Sequence, residues 1–366
     1  MTEKFGKIIA AGHICLDITP VFPQGKSVGS IGELLIPGKL INVEPADVHT
    51  GGSVANTGLA LKILGNNVEL LGKVGDDDFG KTVTQILSRY GVGGLVVDKS
   101  SSTSYSVVIA VPGCDRVFLH NPGANDTFQS SDIPESALSD AALFHFGYPT
   151  LMRKMFSDGG SELKKIFANV KERGIATSLD LAAVDPNSAA GKVDWQQVLA
   201  KTLPYVDFFV PSFEELCFML DRENYERLAS LGGDMAEKLD IERDVKVLAE
   251  KALSLGCETV LIKCGTAGMY FRSGKVTKVG SRLALDAESW SDKSIYQPCF
   301  KADRVLSATG AGDTSIAAFL TAVMRGKTPE QAAALAAAEG ACAVTTYDAL
   351  SGLKSIEELE ARIASG

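Results

Sequence analysis

Short apolar runs with no polar alternation recur along this chain, at 7–13, 68–74, 95–97, 143–146, 175–179, 207–210 and 259–262, with amphipathic stretches between most of them. A strand with no polar face must be covered on both sides, and the intervening helix-period segments can cross over from one strand to the next in parallel. The pattern predicts one α/β domain over 1–366, built on a doubly wound parallel sheet. With 45% of 366 residues hydrophobic, the chain has the apolar material to fill such a core.

Two stretches break the rhythm. Residues 18–50 are rich in Gly and Pro, and 104–121 reads as a hairpin, with runs 105–111 and 117–120 around Pro112-Gly113. Both are expected to form short antiparallel strands projecting from the main sheet as a small lid, spanning about 14–50 and 103–122. Three helices are expected toward the end, at 313–325, 329–347 and 356–364. The first carries a buried stripe of Ile316, Phe319, Leu320, Val323 and Met324, and the second opens with a capping box from Thr328 to Gln331 around Pro329. Residues 281–292, including Trp290, have no clear period and read as an insertion loop.

Charge and cysteine usage narrow the function. A formal charge of −9 without any Lys/Arg run argues against nucleic acid or anionic lipid as partner. Nowhere do eighteen apolar residues run together, and the apolar stretch after Met1 is too short for a signal peptide. Seven scattered cysteines without a C-x-x-C pair suit free thiols in a reducing cytoplasm.

Gly75-Asp76-Asp77-Asp78-Phe79-Gly80-Lys81-Thr82 satisfies the P-loop pattern G-x-x-x-x-G-K-[ST]. Three consecutive aspartates would set three negative charges beside a triphosphate, so the stretch is read instead as an Asp-capped helix entry. Gly25-Lys26-Ser27 lacks the first glycine of that pattern because Pro20 stands there, and no G-x-G-x-x-G is present.

Thr309-Gly310-Ala311-Gly312-Asp313 opens the stripe helix. Small residues allow close approach of a ligand, and a helix's first turn offers unpaired N–H groups suited to a phosphate. A carboxylate there would repel a passively bound phosphate but makes sense as a general base facing a substrate hydroxyl. A Gly-rich turn capped by Asp explains the pentapeptide equally well. Gly51-Gly52-Ser53-Val54-Ala55-Asn56 enters another helix, with Ala55, Leu59 and Ile63 on one face and Gly65 at its end. Its glycines allow a neutral polyol to approach, and Asn56 can donate and accept toward hydroxyls. A plain turn is the alternative.

These elements, with Gly72–Gly80 and the run ending Gly12-His13-Ile14-Cys15-Leu16-Asp17, resemble the ribokinase-like (PfkB) carbohydrate kinase family over about residues 7–347. The resemblance implies a Rossmann-like core with a β lid over the sugar, ATP with Mg²⁺, and phosphorylation of a hydroxymethyl group. It implies Asp313 as catalytic base and the amides of Ala311, Gly312 and Asp313, after Gly310, as anion hole. Asp17, Gly51, Gly52, Asn56 and Asn125 match substrate-contacting positions. Lys263, Gly265 and Gly268 match the turn along the nucleotide phosphates, with Thr309 nearby, and Glu215 the metal-side glutamate. Lid edges in the family often pair between two chains, which suggests a homodimer.

Three positions depart from the family pattern. Ser212 replaces the asparagine of N-x-x-E. Ser307 replaces an aspartate that helps hold a monovalent cation, so turnover is expected to be indifferent to K⁺. Cys15 replaces an asparagine of ribokinases, which disfavours ribose. The leading expectation is an ATP-dependent sugar or polyol kinase. A nucleoside kinase, with Phe118, Tyr148 and Tyr105 as a shelf for the base, and a sensor that has lost turnover remain alternatives. His145, Tyr148 and His120 lie where side chains can reach a substrate, although a lone His near a strand end is more often structural.

Overall fold

The computed structural model describes residues 6–23, 31–111 and 117–365; the Pro112-Gly113 turn and Gly25-Lys26-Ser27 lie outside them. Fourteen strands are present among the described residues: β1 (Lys7–Gly12), β2 (Cys15–Val21), β3 (Glu44–Gly51), β4 (Val68–Leu71), β5 (Lys73–Gly75), β6 (Val96–Asp98), β7 (Tyr105–Ile109), β8 (Val117–Asn121), β9 (Ala141–Gly147), β10 (Ala176–Leu179), β11 (Phe208–Phe209), β12 (Thr259–Lys263), β13 (Met269–Ser273) and β14 (Ser294–Gln297). The main sheet has the order β14-β13-β12-β11-β10-β9-β1-β4. From β4 to β12 every pairing is parallel, and the last two strands run antiparallel.

Both faces of this sheet are buried, as continuous apolar runs require. Along β1, Ile8 and Ala10 enter one core with the helices Ser53–Ile63, Ala311–Met324 and Pro329–Ala343. Ile9 and Ala11 enter a second core with Ser161–Glu172, Trp195–Thr202, Phe213–Leu220 and Lys246–Ser254. The capping box at Thr328 forms, with Gln331 bonding back to Thr328. That helix ends at Ala343, short of 347. Ile63 is 45% exposed rather than on the buried face with Ala55 and Leu59.

The lid is a second sheet of order β3-β2-β7-β8. Its central pair, β2 and β7, is parallel, so the lid is mixed rather than wholly antiparallel. The run 68–74 is divided: β4 joins the main sheet, whereas β5 pairs with β6 in a separate two-stranded ribbon. The break falls at Gly72, where a side chain would collide with Ile14. Segment 281–292 is not simply a loop. It holds the short helix Ala287–Trp290, and Trp290 is a core residue packed edge-on against Phe208, Phe271 and Phe319. Truncating such a side chain typically costs about 3–5 kcal/mol.

Candidate active site

In open α/β sheets, ligands bind beyond the carboxyl ends of the strands, where the strand order reverses. Here the chain steps from β1 out to β4 and then back past β1 to β9, so the reversal lies between β1 and β9. His13 follows β1, Tyr148 follows β9, Asp180 follows β10 and Lys263 ends β12.

Asp313 faces this point from the first turn of Ala311–Met324 and is 4% exposed. Asn56 Nδ2 donates to its Oδ2 at 3.0 Å and Thr57 Oγ1 to its Oδ1 at 3.0 Å. The Tyr148 hydroxyl lies 2.9 Å from Oδ1 and 2.7 Å from Oδ2. Burial, together with the charges of Asp313 and Asp180, raises the Tyr148 hydroxyl well above its ordinary pKa, so it remains a donor. The carboxylate thus turns sideways and leaves its own helix uncapped. Gly310, the N-cap, has φ 73° and no side chain to offer, and a Cβ there would strike Ala349. Of the three expected anion-hole amides, that of Ala311 is already bonded to the Ala308 carbonyl at 3.3 Å. Those of Gly312 and Asp313 lack an acceptor within the helix, since its ladder starts with Thr314 bonding to Gly310. Thr309 and Ser307 bond each other at 2.9 Å in the approach to this turn.

Beside Gly312, Lys263 Nζ meets Asp180 Oδ1 at 2.7 Å. Asp180 is 1% exposed, and burial with the charges of Glu215 and Asp313 pushes its carboxyl up to about 8 against the pull of Lys263. Burial alone would discharge Lys263, but Asp180, Glu215 and Asp313 hold its ammonium protonated. Ser212 and Glu215 form a reciprocal cap on Phe213–Leu220: Ser212 N donates to Glu215 Oε2 at 2.8 Å, and Glu215 N to Ser212 Oγ at 3.3 Å. The serine in place of asparagine therefore has a structural task, and one oxygen of Glu215 is committed to it. Gly265 and Gly268 flank a tight turn closed by Cys264 N on the Gly268 carbonyl at 2.8 Å.

On the lid, strand register aligns His49, Asp17, Ser106 and His120 in one row across β3, β2, β7 and β8. Ser106 Oγ and His120 Nδ1 are 3.0 Å apart, and the Cys15 thiol lies 3.3 Å from Asp17 Oδ1. Gly51 and Gly52 are required here by the chain itself. A Cβ on Gly51 would run into the Asp17 carboxylate, and one on Gly52, whose φ is 84°, would come within 2.6 Å of His13. Their close approach is thus to Asp17 and His13. Behind the row, His13 is 2% exposed, lies 5.3 Å from the His120 ring, and has no hydrogen-bond partner on either nitrogen among the described residues. Burial and His120 push it down to about 3; burial also lowers His120, although Asp17 and Asp126 oppose it. Asn125 is fully buried and clasps the Ile14 backbone, its Oδ1 accepting from Ile14 N at 3.2 Å and its Nδ2 donating to the Ile14 carbonyl at 2.8 Å. The amide that was expected to contact substrate ties the lid to the sheet.

The nucleoside shelf does not assemble from Phe118, Tyr148 and Tyr105. Tyr105 packs on Phe79 from the opposite face of the lid, and Tyr148 is engaged by Asp313. His145 is a core residue between Ser53 and Ser178, pushed down to about 3 by burial and Lys263. Lys81 lies far out on the surface, paired with Asp78, while Asp77 caps its own helix. Sequence reasoning missed Thr57 and Asp180, as well as the contact of Tyr148 with Asp313. For Tyr148 and Asp180 the available signal was a polar residue directly after a buried strand, β9 and β10; Thr57, inside a helix, had none.

The family model described as pfkB family carbohydrate kinase matches residues 14–356. The chain is 26% identical over 348 residues to the 2-dehydro-3-deoxygluconokinase of Thermoproteus tenax, covering 91% of this chain and 93% of that one. It is 31% identical over 168 residues to fructokinase-1 of Oryza sativa subsp. japonica, a match that spans 43% of this chain and about half, 51%, of the rice enzyme. Its fold superimposes on the ATP-bound fructokinase of Xylella fastidiosa with a TM-score of 0.71 at 19% identity, over 99% of both chains. Among the described residues no helix is long and apolar enough to cross a membrane.

Proposed function

The chain belongs to the pfkB family of carbohydrate kinases, and from that premise we propose that it transfers the γ-phosphoryl group of ATP to a hydroxymethyl oxygen of a neutral sugar or polyol, with Asp313 as general base. The observation that carries this reading is the position of Asp313: a carboxylate beside the strand reversal, bonded to Asn56, Thr57 and Tyr148, in the first turn of a helix whose Gly312 and Asp313 amides find no acceptor within it.

In this mechanism the acceptor O–H points at Asp313, which takes its proton as the oxygen bonds to the γ-phosphorus and the bond to the β–γ bridging oxygen breaks, releasing ADP. Asn56 and Thr57 fix the carboxylate's orientation. The two open amides and the Lys263 ammonium meet the charge on the transferring group, where donors fixed in advance are worth most. The turn from Gly265 to Gly268 lies toward the rest of the nucleotide, with Thr309 at the mouth. Asp17 faces the hydroxyls of the acceptor, flanked by His49, Ser106, His120 and His13. With His13 and His120 held neutral and Asp17 acidic, this surface favours an uncharged acceptor over a sugar acid.

The residues present fit Mg²⁺ that arrives with ATP. Three carboxyl groups, of Asp180, Glu215 and Asp313, surround one ammonium; burial chiefly raises the Asp180 carboxyl, and the charges of Glu215 and Asp313 add to that push. Among the described residues no cluster of three or more metal-ligating side chains is assembled, which suits an ion that keeps its waters and binds chiefly to phosphates. Glu215, through the oxygen not used in its cap, is the residue that would hold it; the ion's contribution is charge neutralisation on the β- and γ-phosphates.

The lid edges β3 and β8, which expose Val48, Phe118 and Leu119, support a homodimer, to be checked by light scattering. The free thiols Cys15, Cys217, Cys257, Cys264, Cys299 and Cys342 support a cytoplasmic location. The decisive experiment is ADP release with Mg-ATP over a panel of hexoses, pentoses, inositols, sugar acids and nucleosides. Turnover with a neutral sugar or polyol is expected. Tight sugar binding without any turnover would instead mark a sensor.

A further inference from the structure

Three donors of the chain converge on the Asp313 carboxylate: Thr57 on Oδ1, Asn56 on Oδ2, and the Tyr148 hydroxyl, whose single proton lies astride both oxygens at 2.9 and 2.7 Å. An acceptor hydroxyl that approaches across the two oxygens meets the Tyr148 O–H and must displace it. Asn56 and Thr57 are successive residues of Ser53–Ile63, a helix packed against the Asp313 helix, so the backbone holds both in place. Tyr148 is held differently. It sits in the turn after β9 with φ 63° and ψ 44°, a left-handed conformation sparsely populated by bulky residues and concentrated at functional sites. The residue is only partly buried.

We propose that Tyr148 is a placeholder for the acceptor hydroxyl: without an acceptor its O–H makes the hydrogen bond to Asp313 that the substrate O–H makes during turnover, and so denies that position to water. The inference rests on the kinase reading above. The reaction it suppresses is hydrolysis, in which a water oxygen bonds to the γ-phosphorus, the bond to the β–γ bridging oxygen breaks, Asp313 takes the proton, and ADP and inorganic phosphate leave. Tyr148 is a positioning residue in this scheme, since it acts through Asp313 and must move aside before chemistry.

Tyr148→Phe keeps the ring and removes the donor. Hydrolysis of Mg-ATP without any sugar should rise by about tenfold or more, the scale of one competing hydrogen bond to a charged group. The KM for the best acceptor of the panel should fall severalfold while kcat changes by less than about threefold, because only the competitor is removed. In Tyr148→Phe combined with Asp313→Asn the extra hydrolysis should vanish. A purely packing role for the ring predicts neither the hydrolysis nor the split between KM and kcat. Should Tyr148→Phe fail to fold by circular dichroism, Tyr148→Leu poses the same question. Sugar phosphorylation intact with hydrolysis unchanged would overturn the placeholder and leave the kinase standing. Hydrolysis that persists in the double variant would overturn it too. No turnover with any acceptor in wild type would overturn both.

Discussion

Two helices of this molecule begin with glycine and aspartate, and they end up as opposites. At 75–82 the sequence matches a phosphate-loop pattern in full, yet Asp77 occupies the N-cap and accepts from Gly80 N at 2.8 Å, from Thr103 N at 2.7 Å and from Thr103 Oγ1 at 2.6 Å. That helix end is closed by its own side chain. At 309–313 the N-cap is Gly310, which offers none, and the aspartate stands three residues on, turned toward Asn56, Thr57 and Tyr148. Glycine content is similar in both. Whether a helix N-terminus is open to an anion is decided by what stands at the cap and where the nearest carboxylate is tied.

The largest test of this contrast is Asp313→Asn, which keeps shape and helix but removes the base. General-base catalysis contributes about 10²–10⁴-fold, so kcat should fall at least about a hundredfold with ATP affinity preserved. Retention of more than about a tenth of wild-type kcat would rule out the mechanism. Next comes Gly312→Ala. A Cβ there meets nothing nearer than the Lys263 side chain at 3.8 Å, so the melting temperature should hold. The methyl would nevertheless stand between the open amides and Lys263, and misplacement on the ångström scale should lower kcat/KM for ATP by about tenfold or more. An unchanged kcat/KM would show that the phosphoryl group lies elsewhere.

At the closed end, Asp77→Ala should cost about 1–2 kcal/mol of stability, read by urea unfolding, and leave kcat alone. Partial burial tends to raise the Asp77 carboxyl, but hydrogen bonds from Thr103 and Gly80 prevail and hold it below the usual carboxylate range. Its contribution is therefore complete above about pH 4, the unfolded value, and lost as pH falls through the lower folded value. The stability gap between wild type and Asp77→Ala should accordingly narrow in acid; a gap that widens would contradict the bonding described. The smallest effect is expected from Lys81→Ala. Its lysine is 73% exposed and paired with Asp78, and both the KM for ATP and the melting temperature should stay within error. A large rise in that KM would restore the phosphate-loop reading.

Much of the scaffold is legible in the chain because each signal is local. Continuous apolar runs at 143–146 and 259–262 become the buried β9 and β12, and Thr328 with Gln331 makes the cap its spacing announces. Local signals also mislead in an orderly way: the run 68–74 looks like one strand until Gly72 breaks it between two sheets. Trp290 had no periodicity to betray it, since a four-residue helix shows less than two turns. In the site, Gly310 and Asp313 are visible as a motif, but the tasks of Gly51, Asn125 and Ser212 are not. Each is occupied by a partner from the chain itself, Asp17, Ile14 and Glu215, and a motif records residue types without recording which bonds are already spent.

The partners of Asp313 have a consequence for the order in which the molecule is made. Its hydrogen bonds reach back 165 residues to Tyr148 and 256 and 257 residues to Thr57 and Asn56, and the neighbouring Gly310 is pressed against Ala349 near the end of the chain. Contacts this distant in sequence pay their loop-closure entropy before they return any stability, and topologies rich in them fold slowly. On a ribosome, β1, the lid and most of the parallel sheet emerge while the base is still unmade. Recovery of phosphoryl transfer after dilution from denaturant would therefore trail the recovery of helical dichroism, with the catalytic carboxylate among the last groups to find its neighbours.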